Sequence, residues 1–339
     1  MSAIPQPSTA SESTAILVWR RLAALQARFP ILQLIALGAV FGYGAASLPG
    51  LSSWGSIKQI LVLASLAGLA SAGQTLLILM GGFDLSISGF IVSSALVVSV
   101  LKEKWDVPFW VAIVIGVIAA ALLGGLAGQI CHRFQIQPLI VTLAMGTIAL
   151  GLIQVQTEGS FSGTAPDWLI RLTSPGTDTF GSIGIPPLVV MWAAVAVLMA
   201  LYLHRTTPGR RVMATGANPR AAEYSLINTR RVWTLAFAFS GIVSALVGIL
   251  VAGFSGSVDS GVGDPYLFQS VVAVIVGGTV FGGPGDYTRT IVGALFLTVV
   301  NVVLVGHGAT PADQNMIYGA AILIAVAIYG RERRLRDRI

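Results

Sequence analysis

A chain of 339 residues that is 55% apolar and only 10% charged, with a mean hydropathy of +0.83, is not an ordinary soluble domain, where about a quarter of residues carry charge. The net charge of +6 would suit a nucleic-acid binder, but in a membrane protein surplus arginine records topology, so no nucleic-acid partner is expected. Cys131 alone excludes an intramolecular disulfide, and His132, His204 and His307 lack metal-ligand spacing, which argues against redox and metal chemistry.

Residues 1–14 are polar and rich in Ser, Thr and Pro, without the pattern of a cleaved signal peptide, as expected of a cytoplasmic tail. Over 15–29, AILVWRRLAALQARF alternates apolar and basic residues at helical spacing, as an interfacial helix would. Ten apolar spans follow, at 30–48, 57–80, 88–101, 108–130, 138–156, 185–204, 232–253, 267–282, 289–306 and 314–329. Each is near the ~20 residues a bilayer crossing needs, although several are short and broken by glycine. The expected architecture is all-α and polytopic, with about ten transmembrane helices. A tail and interfacial segment occupy 1–29, a single transmembrane domain 30–330, and a basic tail 331–339.

Orientation follows from the basic residues. With the amino terminus inside, cytoplasmic segments hold Arg20, Arg21, Arg28, Arg133, six arginines over 205–231, Arg289 and five arginines over 331–338. Outer segments hold only Lys58, Lys102, Lys104 and Arg171. This asymmetry places both termini in the cytoplasm and supports an even number of spans. The longest outer loop, 157–184, carries Gly159, Gly163, Trp168, Phe180 and Gly181, and reads equally as a pore cap, an external contact or a passive connector.

Within the spans, Ala112, Gly116, Ala120, Gly124 and Gly128 give the fourth a continuous small face, and Ser240, Ser244, Gly248 and Ala252 do the same in the seventh. Such faces serve helix packing before ligand contact. Two stretches interrupt the helical pattern. In 81–89, GGFDLSISG, Gly82 ends one helix and Asp84 is placed to N-cap the next; in 277–286, GGTVFGGPGD, Gly278 and Gly283 mark turns. Non-helical backbone at that depth must be enclosed by protein or line a wet cavity. The polar side chains within spans include Gln74, Thr75, Thr142, Gln154 and Asn301; they suit a path for a neutral, hydroxyl-rich solute, and equally suit interhelical hydrogen bonding. No span interior holds Lys or Arg, and no carboxylate chain resembles a proton relay. The nearest phosphate-loop pattern, 50–56, has Ser56 where lysine belongs, so the chain has no nucleotide site of its own.

One polar island, 208–231, stands between two apolar spans: PGRRVMATGANPRAAEYSLINTRR. Asn218 is a favoured N-cap, Pro219 fits the first helical position, and Ala221, Ala222 and Glu223 are good helix formers, so a short capped helix is expected. It is either a loop held inside by its arginines or an element presented to a soluble partner.

Four stretches in order, QTLLILMGGFDLSISG, IQPLIVTLAMGTIALG, GRRVMATGANPRAAEYSLIN and VVAVIVGGTVFGGPG, resemble the permease subunits of bacterial ABC sugar importers, the branch that includes the ribose permeases. The resemblance runs from about residue 60 to 329. It implies a permease of the inner membrane that moves a neutral sugar or polyol by alternating access and binds no cofactor itself, ATP and magnesium residing on a partner ATPase. It also implies a periplasmic or lipoprotein sugar-binding protein as partner, and a second permease chain in a homo- or heterodimer. By this resemblance 218–228 is a coupling helix, with Gly216, Asn218, Ala221 and Ala222 at motif positions and Pro219, Arg220 and Glu223 between or beside them. Relatives commonly carry Gly where this chain has Leu226, so the helix is expected to run on towards Asn228. A facilitator needing no ATPase is the alternative; an enzyme lacks a clustered nucleophile, base or metal set.

Overall fold

The computed structural model describes residues 30–157, 164–179, 184–256, 259 and 261–336; the interfacial helix expected over 15–29 lies outside them. The regular structure described is entirely helical: α1 (Ile31–Ser47), α2 (Trp54–Leu79), α3 (Ile87–Trp105), α4 (Phe109–Phe134), α5 (Pro138–Thr157), α6 (Asp167–Thr173), α7 (Pro187–Arg205), α8 (Thr207–Ala217), α9 (Pro219–Tyr224), α10 (Thr229–Ser255), α11 (Asp264–Val276), α12 (Tyr287–Gly306) and α13 (Pro311–Arg336). Side-chain oxygens satisfy the free N–H groups that start several of them. Ser53 caps α2 at 3.3 Å, Asn228 caps α10 at 2.9 Å, Asp286 caps α12 at 3.1 Å, and Thr310 and Asp313 cap α13 reciprocally at 2.7 and 3.3 Å.

Among the described residues, six helices, α2, α4, α5, α7, α10 and α12, are long and apolar enough to cross a membrane. Three further expected spans fall on shorter apolar helices: α1, α11 and the part of α3 up to Val98. The tenth falls on α13, which stays helical to Arg336, so the segment expected as a basic tail from 331 is partly helix. α11 ends at Val276 rather than near 282, because the glycine-rich stretch takes over at Gly277.

The bundle is organised around α10, which packs on α2, α3 and α4. A methyl at Gly241 would overlap the Ala120 carbonyl oxygen of α4, and one at Gly248 the Ile91 carbonyl oxygen of α3. The small face of α4 divides in two: Gly124 and Gly128 lie against the backbone of α10, Gly116 against Ser94 of α3. That of α10 divides as well, with Ser240 seated at Gly73 of α2. The two faces thus admit three different neighbours rather than one another. Opposite α10, the Trp192 indole of α7 donates to the Tyr287 hydroxyl at 3.1 Å, and Tyr287 of α12 donates to the Gly68 carbonyl of α2 at 2.7 Å. Both rings are buried, and the relay stitches three helices together.

Polar contacts sort to the two ends. At one end Lys58 pairs with Asp178 at 2.7 Å and Lys104 donates to the Gln156 carbonyl at 3.3 Å. At the other, His204 meets Asp286 at 3.0 Å and Arg289 donates to the Gly278 carbonyl at 3.3 Å. The long loop at the Lys58 end is more than a connector. It contains α6, whose Leu169 is buried against Gly253 of α10 and whose Trp168 stacks on Trp110 at 5.0 Å. Its residues Gly159, Gly163, Phe180 and Gly181 lie outside the described part.

Candidate functional site

The first helix break, 81–86, turns back into the bundle rather than capping it at the surface. Asp84 does not N-cap α3 as its sequence position suggests: Ser86 occupies the N-cap position and makes no side-chain cap bond. Asp84 Oδ1 instead accepts from the Ser86 N–H at 2.8 Å and from the Ser86 hydroxyl, while Oδ2 accepts from the Ser240 hydroxyl of α10 at 2.6 Å. The carboxyl group is fully buried, and three donors satisfy its oxygens there. Ser240 contributes a ligand to Asp84 across the bundle, a pairing that no local spacing in the sequence announces.

Two residues expected to line a path serve the break itself. Gln74 Oε1 accepts from the Asp84 N–H at 3.2 Å, and Thr142 Oγ1 accepts from the Leu85 N–H at 2.9 Å. Both are closed to solvent, as is Thr75, whose hydroxyl donates to the Ser71 carbonyl and lies 3.0 Å from that of Thr290. Gln154 and Asn301 stand apart, on α5 and α12. The structure therefore brings Gln74 and Thr142 together on the break and does not gather the five into one lining.

The second break, 277–286, touches the first. Phe83 and Phe281 pack at a centroid distance of 4.7 Å, and the Gly282 N–H donates to the Ile78 carbonyl at 2.7 Å. The left-handed turns fall at Gly81 (φ 82°) and Gly282 (φ 59°), with a third at Gly278, not at Gly82 and Gly283. Gly82 packs on the Trp233 ring, and its N–H donates to the Leu77 carbonyl at 2.8 Å; Gly283 closes a turn on Val280 at 3.1 Å. The last turn of α2 thus supplies carbonyls to both breaks.

The polar island folds as α8 and α9. Gly216 rests on that same last turn of α2, so close that a methyl there would overlap the Leu79 carbonyl oxygen. Asn218 Oδ1 accepts from the Ala221 N–H at 3.0 Å with Pro219 at the first helical position, as the sequence suggests. Ala222 is buried; Glu223 Oε1 accepts from the Thr229 hydroxyl at 2.8 Å, and that hydroxyl lies 2.9 Å from His132 Nε2, tying α9 to α10 and α4. Arg220 and Ala221 are exposed. Beside them Tyr224 and Leu226 are 89% and 94% exposed, two bulky residues in a basic island; the sequence singles out Leu226 for how the helix ends, not as exposed surface. A cleft of about 680 Å³ runs alongside, lined in part by His132, Gln135, Arg220, Glu223 and Trp233.

α9 does not run on to Asn228. It stops at Tyr224, Leu226 takes the left-handed conformation (φ 61°), and the Ile227 N–H returns to the Ala222 carbonyl at 3.0 Å. Asn228 is unavailable for this turn because its side chain already caps α10, so the reversal falls on Leu226 despite its Cβ. Among the described residues, no three His, Cys, Asp or Glu side chains are grouped to hold a metal ion.

The family model described as branched-chain amino acid transport system / permease component matches residues 56–327, a stretch that contains both breaks and the α8–α9 island. The chain belongs to this permease family. The ribose import permease of Bacillus subtilis is 34% identical to it over 280 residues, covering 80% of this chain and 84% of that protein. The ribose import permease of Haemophilus influenzae is 30% identical over 285 residues (82% and 86%), and the fructose import permease of Rhizobium meliloti 30% over 303 residues (88% and 82%). No solved structure matches the permease. The resemblance carried by the four sequence stretches, to the permease subunits of ABC sugar importers, is thereby shown.

Proposed function

We propose that this permease is the membrane-spanning subunit of an ATP-driven importer that carries a neutral sugar or polyol into the cytoplasm by alternating access. The observation that carries the reading is the placement of α9. It projects Arg220 and Tyr224 outward, with Leu226 just past its end, and the preceding α8 seats it through Gly216 on the turn of α2 to which both helix breaks are hydrogen-bonded. A partner ATPase pushing on α9 would act on both breaks at once. The chain itself performs no bond chemistry and binds no cofactor; ATP and magnesium act on the ATPase. A sugar-binding receptor delivers solute at the Lys58 end, and a second permease chain completes the path. The sugar class rests on the ribose, fructose and galactofuranose permeases among its relatives.

In this reading the four shorter or partly described helices join the six long ones to give ten spans, with both termini and α9 on the cytoplasmic side. The uneven distribution of basic residues along the sequence supports that orientation. The test is reconstitution: proteoliposomes holding the permease alone should not take up sugar, whereas adding its cognate ATPase, receptor and ATP should start uptake. Uptake by the permease alone would identify a facilitator instead.

A further inference from the structure

Two helices of the permease begin part-way through the bundle, and they meet there. Gly89 in the first turn of α3 lies against the Gly146 carbonyl, near the middle of α5, and Gly263 lies against the Ser88 carbonyl. The Ser88 hydroxyl donates to Asp264 Oδ1 at 3.1 Å. From Asp264, the 13 residues of α11 extend to the end marked by Arg289 and Gly278, about 20 Å at a rise of ~1.5 Å per residue. From Ser88, α3 runs about 25 Å the other way, to Trp105. Asp264 is therefore near mid-depth.

Its side chain is exposed, and so, one helical turn along the same face of α11, is Phe268 at 41%. Asp264 Oδ2 has no hydrogen-bond partner among the described residues. A carboxylate at that depth does not face lipid tails; it faces water or protein. A sugar leaving water needs acceptors and donors for its hydroxyls and an apolar surface for its C–H face. Asp264 and Ser88 supply the former, the Phe268 ring the latter.

We propose that Ser88, Asp264 and Phe268 form a sugar-contacting site half-way along the path. This rests on the importer reading above and adds to it the residues that meet the solute. The test is saturation-transfer NMR on the permease in lipid nanodiscs, with D-ribose, D-fructose and D-galactose as probes. Wild type should transfer saturation to at least one of them. Asp264→Asn, which keeps an acceptor for Ser88, and Phe268→Leu should each weaken that signal about tenfold, the loss of one charged hydrogen bond or one ring face, and Phe268→Tyr should restore it. If Asp264→Asn fails to fold, the Leu and Tyr variants at 268 decide the matter. An unchanged signal in the variants overturns the site, as does no signal from wild type with any probe. So does a variant that loses association between permease copies while its sugar signal stays intact. Uptake of the same sugar by the full complex, measured in parallel, separates the two ideas: a working site with uptake that ignores ATP refutes the importer and leaves the site standing.

Discussion

Leu226 and Asp84 show how single residues depart from what their neighbours in sequence suggest. A left-handed Leu costs roughly 1–2 kcal/mol, and glycine recovers this less the ~0.4–1 kcal/mol of extra freedom it gains in the unfolded chain. Since the side chain is 94% exposed, Leu226→Gly loses little packing and should stabilise the α9 turn by roughly 0.5–1 kcal/mol, read as slower hydrogen exchange at the Ile227 amide. A strained, exposed Leu in that position suits a surface whose role is contact, so the same variant should weaken ATPase association even as it steadies the helix. Asp84 is the opposite case, a buried carboxyl group whose three donors would be stranded by truncation. Asp84→Ala should cost about 3 kcal/mol or more, seen as a lowered thermal midpoint, whereas Ser240→Ala removes one donor and should cost about half as much.

At the scale of elements, glycine positions that read alike in the sequence separate by what lies opposite them. Gly241 has the Ala120 carbonyl against it, so Gly241→Ala should force α10 from α4 at a cost of about 1–3 kcal/mol. Gly151, mid-helix in α5 with open space around it, should instead gain about 0.5–1 kcal/mol as alanine. Thermal unfolding of the two variants in one detergent checks both signs. Gly216→Ala presses on the last turn of α2 and should leave the permease able to bind its ATPase while uptake falls well below wild type. Equal uptake in that variant would remove the α2 turn from the coupling route. Periodicity and composition identify α2, α4, α5, α7, α10 and α12 because each is a long apolar run. The early end of α11 follows from the glycine-rich stretch at Gly277, which a sliding apolar count runs through, and α13 stays helical to Arg336, beyond the end of its apolar run.

For the whole molecule, orientation and assembly are the testable properties. Single cysteines placed at Tyr224 and at Thr177, with Cys131 replaced by alanine, should label from opposite sides of sealed vesicles, the first from the cytoplasmic side. Glu223→Arg should uncouple ATP hydrolysis from uptake while leaving the permease in the membrane, because it breaks the Thr229 contact that ties α9 to the bundle and reverses the charge of that surface. The sequence by itself determined the class, the all-helical architecture, the capped helix at Asn218 and the family, because each depends on composition or on residues close together along the chain. It located both breaks but not their meaning. Only the tertiary structure decided that Asp84 reaches Ser240, that both breaks share the end of α2 with Gly216, and that Ser88 meets Asp264 at mid-depth. Each of these joins residues far apart in the chain, and such pairings arise from how helices pack rather than from the periodicity that makes them helices.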